Sequence, residues 1–157
     1  MMRLYALAIL GLFLTSCASE PPAPPPPLPP TLVQLQIDCG NDVNLGGDGV
    51  ASPIMLRIYE LRESSSFKAA DFFALFNDDK AALGGDLAHK SELLLKPGET
   101  KTLTLQPDAN IQSLGLFATF RQLDNAQWRA SMDITPHQTQ LVTIKLDRNQ
   151  LKLDLQH

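Results

Sequence analysis

Val33-Gln34-Leu35-Gln36-Ile37-Asp38 carries an apolar side chain at every second position and a polar one between. Side chains on an extended strand point alternately to its two faces, so Val33, Leu35 and Ile37 turn one way and Gln34, Gln36 and Asp38 the other. The same period recurs along the chain. Ile54, Leu56 and Ile58 alternate with Met55, Arg57 and Tyr59; Leu93 and Leu95 fit between turn signals; Leu103 and Leu105 alternate with Thr102 and Thr104. Leu114, Leu116, Ala118 and Phe120 form another set, and Trp128, Ala130 and Met132 a short one. Val142, Ile144 and Leu146, then Leu151, Leu153 and Leu155, close the series. Each set gives one apolar face to a core and one polar face to water. Turn chemistry separates them at Lys96-Pro97-Gly98-Glu99, Gln106-Pro107-Asp108-Ala109-Asn110 and Asp147-Arg148-Asn149. About seven or eight short strands at this spacing predict an all-β fold, a two-sheet β-sandwich over residues 31–157.

One segment breaks the alternation. Ser64-Ser65-Ser66 precedes Phe67-Lys68-Ala69-Ala70-Asp71-Phe72-Phe73-Ala74-Leu75-Phe76, which reads as capping serines followed by helix-permissive residues. Asn77-Asp78-Asp79 caps a second short turn, Lys80 to Leu83, and Gly84-Gly85 stops it. The expectation is a short helical insertion, about 64–84, packed over one edge or end of the sandwich. Its phenylalanines are too dense for a free surface helix: they cap the core or offer a surface to a partner.

Upstream of the strands, Leu4 to Leu14 is an apolar run of 11 residues behind a single cation, Arg3. A membrane-spanning helix needs about 20 residues, so the run reads as the core of an export signal, residues 1–16. Leu14-Thr15-Ser16-Cys17 resembles the lipobox of bacterial lipoproteins: Leu, two small residues, then Cys. The resemblance implies that the Cys17 thiol receives a diacylglyceryl group, that the chain is cut before it, and that the new amine is acylated. Two or more acyl chains hold a protein on a membrane stably, where one does so only marginally. Ala18-Ser19, with no Asp after the lipidated residue, implies an outer-membrane anchor. Residues 17–30 form the lipidated Cys and tether. Glu20 to Pro30 contains Pro21, Pro22, Pro24 to Pro27, Pro29 and Pro30; it cannot build a core and adopts extended polyproline II, reaching roughly 34 Å at ~3.1 Å per residue.

The remaining composition mostly excludes. The chain carries 13 Lys plus Arg against 17 Asp plus Glu; loss of 1–16 removes Arg3 and no acid, which takes the formal charge from −4 to about −5. That sign argues against nucleic acid. With Cys17 lipidated, Cys39 has no partner in the chain, and at the end of an alternating strand it reads first as a buried small hydrophobe, otherwise as a free or intermolecularly bridged thiol. His89, His137 and His157 have no metal-ligand spacing, and no nucleophile motif such as GxSxG occurs. Asp42, Asn44 and Asp48 before Gly49 suggest a calcium loop, but counting from Asp42 the twelfth position is Pro53, where a bidentate Glu is required. The reading is therefore no enzyme, no metal and no cofactor.

Four stretches, in this order behind a lipobox, carry a family resemblance: Ala51-Ser52-Pro53-Ile54-Met55-Leu56-Arg57-Ile58-Tyr59-Glu60-Leu61, then Phe67 to Phe76, then Glu92-Leu93-Leu94-Leu95-Lys96-Pro97-Gly98-Glu99, then Phe120-Arg121-Gln122-Leu123-Asp124-Asn125-Ala126-Gln127-Trp128-Arg129. Together they resemble the type VI secretion outer-membrane lipoprotein family, called TssJ, SciN or VasD. The resemblance implies a transthyretin-like β-sandwich with a helical addition, facing the periplasm. It implies binding to the periplasmic C-terminal region of the inner-membrane protein TssM, in a complex that includes TssL. It also implies that the loop between the first two strands makes much of the contact. Here that loop is Asn41, Asp42, Val43, Asn44, Leu45, Gly46, Gly47, Asp48, Gly49 and Val50, followed by Ala51.

The residues of that loop support two readings. Three glycines give backbone freedom, and Val43, Leu45 and Val50 set apolar groups among polar, mobile neighbours, which suits a partner surface. Alternatively Val43 or Val50 folds back as a plug on the end of the sandwich. A rival function is a lipoprotein of the same sandwich type that binds a small ligand or glycan; it requires an aromatic-lined cleft, for which Trp128, Tyr59 and the Phe cluster are available.

Overall fold

The computed structural model describes residues 23–156. The export signal and Cys17 lie outside the described residues. Residues 23–31 run without regular structure into eight strands: β1 Leu32–Cys39, β2 Ile54–Leu61, β3 Leu87–Leu95, β4 Thr100–Leu105, β5 Ser113–Ala118, β6 Arg129–Asp133, β7 Thr139–Asp147 and β8 Gln150–Gln156. They form two four-stranded sheets, ordered β4-β1-β7-β8 and β3-β2-β5-β6. All pairs are antiparallel except β1 with β7, which run parallel with Leu35 opposite Val142 and Ile37 opposite Ile144.

The alternation expected from the sequence faces the two sheets toward each other. Val33, Leu35, Ile37 and Cys39 from β1 meet Ile54, Leu56 and Ile58 from β2, Leu114, Leu116 and Ala118 from β5, and Val142, Ile144 and Leu146 from β7. Fully burying each such aliphatic side chain stabilises the fold by about 1.5–3 kcal/mol. At one corner the sheets touch: Gln127 N–H donates to Asn149 O at 2.9 Å and Leu151 N–H to Gln127 O at 2.8 Å, joining the entrance of β6 to β8.

The insertion forms two helices, α1 Ser65–Ala69 and α2 Phe72–Leu83, followed by a short 3-10 turn Gly84–Asp86. They lie across the outer face of the β3-β2-β5-β6 sheet, not at an edge or end as the sequence suggested. The reason is a second apolar surface on β2 and β5: Tyr59, Leu61 and Phe117 are completely buried against Phe67, Leu75 and Leu83. Consequently β5 is buried on both faces, unlike the one-sided pattern expected of it. The Phe cluster divides: Phe67 is 1% exposed, while Phe73 and Phe76 are 62% and 47% exposed.

Aspartates, not serines, cap α2 and its restart, and α1 has no side-chain cap. Ser64 makes no side-chain cap bond, and Ser66 Oγ instead bonds Asp86. Asp71 Oδ1 accepts from Ala74 N–H at 2.8 Å and starts α2. Asp78 leaves helical geometry at φ −152°, ψ 78°, and its Oδ1 accepts from Ala81 N–H at 3.0 Å, so the chain restarts at the second cap read from the sequence. The half after this break is held down by charge. Asp79, 6% exposed, accepts from Tyr59 OH at 3.1 Å and pairs with Arg57 at 3.3 Å and Lys90 at 3.0 Å. Arg57 also pairs with Glu92 at 2.9 Å and donates to Leu75 O at 2.8 Å.

Candidate functional site

Residues 40–53 leave β1 and return to β2 at the end of the sandwich opposite the tether, because the tether enters at Leu32 and β1 runs away from it for about 26 Å at ~3.3 Å per residue. The register brings three other connections to that end. The turn 96–99 follows β3 and precedes Thr100, which lies opposite Asp38; residues 119–128 follow Ala118, which lies opposite Leu56; and Arg148-Asn149 joins β7 to β8.

The base of the 40–53 loop is fixed. Gly40 N–H donates to Leu146 O at 2.8 Å, and Asn44 N–H to Arg148 O at 2.7 Å. Asn44 is 4% exposed and has φ +53°, a left-handed conformation that Asn tolerates better than most residues. Its Nδ2 donates to Pro53 O at 2.9 Å, closing its own loop, and its Oδ1 accepts from Arg121 N–H at 2.8 Å, so its side chain and backbone N–H together tie three connections. Val43 is fully buried in the main core. Val43 offers no surface and is the plug of the alternative reading. Gly98, at φ +77° in the neighbouring turn, lies so close that a Cβ there would meet Asn41 Oδ1 at 2.5 Å.

The tip is a small closed turn. Gly46 N–H donates to Val50 O at 2.9 Å, Gly49 N–H to Gly46 O at 3.0 Å, and Val50 N–H to Asp48 Oδ1 at 3.1 Å. Gly47, Asp48, Gly49 and Val50 are exposed, Val50 by 58%. Leu45 is half-buried. It lines a cleft of about 230 Å³ with Asn44, Phe120, Gln122, Arg148 and Asn149. Phe120, 4% exposed, is the other apolar wall; the rest of the lining is polar. Phe120, Gln122, Arg148 and Asn149 line this cleft without belonging to the loop singled out from the sequence. Their turns are visible in the sequence, but placing Arg148 and Asn149 at this end requires the parallel pairing of β1 with β7, and placing Phe120 and Gln122 there requires the pairing of β5 with β2.

The carboxylates of the loop are engaged with the protein itself. Asp42 accepts from Arg148 Nε at 2.8 Å, and Asp48 holds the tip backbone. Among the described residues no group of three His, Cys, Asp or Glu side chains is placed to hold a metal. His89 sits 3.6 Å from Asp108 on the surface, and His137 contacts the tether. Cys39 is 5% exposed at the root of the loop; burial, and then the charges of Glu99 and Asp147, push its thiol up to about 11. It packs as the small hydrophobe anticipated.

Trp128 edges an open cleft of about 470 Å³ with Gln127, Arg129, Lys152 and Asp154, in which it is the single aromatic. Tyr59 is completely buried beneath the helices, and burial pushes its hydroxyl well above the usual tyrosine value. Trp128 stacks edge-on against Phe72 at 5.5 Å and Phe117 at 5.7 Å, with Arg129 over its ring at 4.8 Å.

Residues 31–149 match the family model described as Type VI secretion lipoprotein, VasD, EvfM, TssJ. No curated protein sequence matches the chain. Among solved structures the chain is similar to the T6SS lipoprotein TssJ1 from Pseudomonas aeruginosa, at 34% identity and TM-score 0.79 over 82% of this chain and 98% of that one. It is similar to Serratia marcescens Lip, a membrane bound component of the Type VI Secretion System, at 28% identity and TM-score 0.75 over 82% of this chain and 99% of that one. It is also similar to a chain in the structure of the T6SS protein TssM C-terminal domain (869-1107) from EAEC, at 25% identity and TM-score 0.66, covering 79% of this chain and 98% of that one.

Proposed function

The chain belongs to the type VI secretion lipoprotein family, and we propose that it is an outer-membrane-anchored adaptor that grips the periplasmic C-terminal region of a TssM-type inner-membrane protein. The proposed anchor is acylated Cys17, the spacer is the proline segment, and the grip is the end of the sandwich formed by Leu45–Val50 with Phe120, Gln122, Arg148 and Asn149. In this reading the protein works by binding and not by catalysis, and it joins a membrane complex that also contains TssL.

The observation that carries the reading is polarity: the tether enters at one end of the sandwich and the long loop that joins β1 to β2 projects from the other. A domain held by its N-terminal end presents that loop away from the lipid surface. The solved TssM structure adds support. The chain matched in it is far shorter than the 869–1107 segment, since 79% of 157 residues fills 98% of it. A sandwich of this type therefore accompanies the TssM domain there. The cleft beside Leu45 suits one apolar anchor side chain with a polar rim, the form that dominant interface contacts take.

Calorimetric titration of the soluble domain with the corresponding TssM periplasmic domain tests this. Saturable binding weakened by Val50→Asp and Leu45→Asp supports the proposal; no binding between two folded partners defeats it.

A further inference from the structure

We propose that the proline segment is rooted on the sandwich by the Pro136-His137 turn and acts as a strut, not a swivel, fixing the direction in which the tether leaves the domain. Composition alone describes a stiff rod hinged freely at Thr31-Leu32. The structure adds bonds across that hinge, between residues more than a hundred positions apart. His137 N–H donates to Thr31 Oγ1 at 2.9 Å, His137 Nδ1 lies 3.1 Å from Pro29 O, and Leu32 N–H donates to Gln138 O at 3.0 Å.

The turn is shaped for this. His137 has φ +59°, a left-handed conformation uncommon for a residue other than Gly, and in it the backbone N–H and the ring nitrogen both reach the tether. Pro29 and Pro30 have their φ angles locked by their rings, so holding one carbonyl orients the residues before it at little further cost in conformational entropy. Leu28, Pro29 and Pro30 form one wall of a groove whose other wall is Pro107, Ile111 and Ile134. Beyond the root, Ala23 to Leu28 spans roughly 19 Å at ~3.1 Å per residue.

The rooting stands on these contacts alone; its consequence, that the glycine loop is pointed away from a membrane instead of sampling all directions, rests on the lipid-anchor reading above. The test uses the mature lipidated chain in vesicles of phosphatidylethanolamine and phosphatidylglycerol, with spin labels at Ala23→Cys and Thr104→Cys; buried Cys39 takes no label. A narrow distance distribution is expected, broadening about twofold in a Thr31→Val, His137→Gly variant. Glycine favours the positive φ, so that variant keeps the turn, and an unchanged melting temperature confirms its fold. A parent distribution as broad as that of a chain with Gly-Ser in place of residues 24–30, or no broadening in the double variant, overturns the proposal. Failure of the anchor is read separately, as absence of acyl mass on Cys17. The distances are then measured with Cys17→Ser and still decide the rooting.

Discussion

Three apolar residues of one loop have three different fates. Val43 is a core residue, Leu45 a half-buried cleft wall and Val50 an exposed tip. Sequence alone could not divide them, because the division depends on Asn44, whose side chain fastens the loop to Pro53 and Arg121 at long range. Val43→Asp puts an unpaired charge into the core and is expected to prevent stable folding, seen as loss of a cooperative thermal transition. Val50→Asp is expected to change stability by no more than about 0.5 kcal/mol while weakening partner binding about tenfold or more. Cys39 was legible as a buried small hydrophobe from its place in an alternating strand, and its titration has a direction. Unfolded, the thiol ionises near 9.0; folded, it holds its proton to about 11. Between those values the unfolded chain binds fewer protons, so stability present below pH 9 falls as the pH rises, by on the order of 2 kcal/mol. Denaturant titrations at pH 8 and pH 11, compared with Cys39→Ala, check this; equal pH slopes for the two chains would contradict it.

At the scale of elements, the strands were readable because a two-residue period is a direct imprint of a half-buried sheet. The helices were readable in place and even in their break at Asp78, but not in what they cover. That follows from β2, where Arg57, Tyr59 and Leu61 share an outer face that looks like ordinary polar-side alternation. The face becomes a second core only when Phe67, Leu75 and Leu83 arrive. Removing the N-cap with Asp71→Ala is expected to cost about 1 kcal/mol. Asp79→Ala should cost more, about 2–4 kcal/mol, because it strands Tyr59 OH and strips Arg57 and Lys90 of a shared, nearly buried carboxylate. Hydrogen exchange should then show α2 opening while β1 and β7 stay protected; uniform loosening of both sheets would show that the insertion is not a separable layer.

For the whole molecule, the sandwich sets a distance and a direction between its two ends. The fold class came from periodicity, but the pairing of β1 with β7 in parallel did not, and it is this pairing that puts Arg148 and Asn149 beside Leu45. The family resemblance pointed to the loop, and the proposed grip is a composite surface that adds the neighbouring connections lining the same cleft. The most direct test of the adaptor account is calorimetric titration of soluble residues 18–157 against the periplasmic C-terminal domain of the TssM-type protein from the same genome. The account predicts saturable 1:1 binding, weakened about tenfold or more by Leu45→Asp and by Val50→Asp while both variants melt cooperatively. Undiminished affinity in both folded variants would place the grip elsewhere, and absence of binding between folded partners would contradict the account itself.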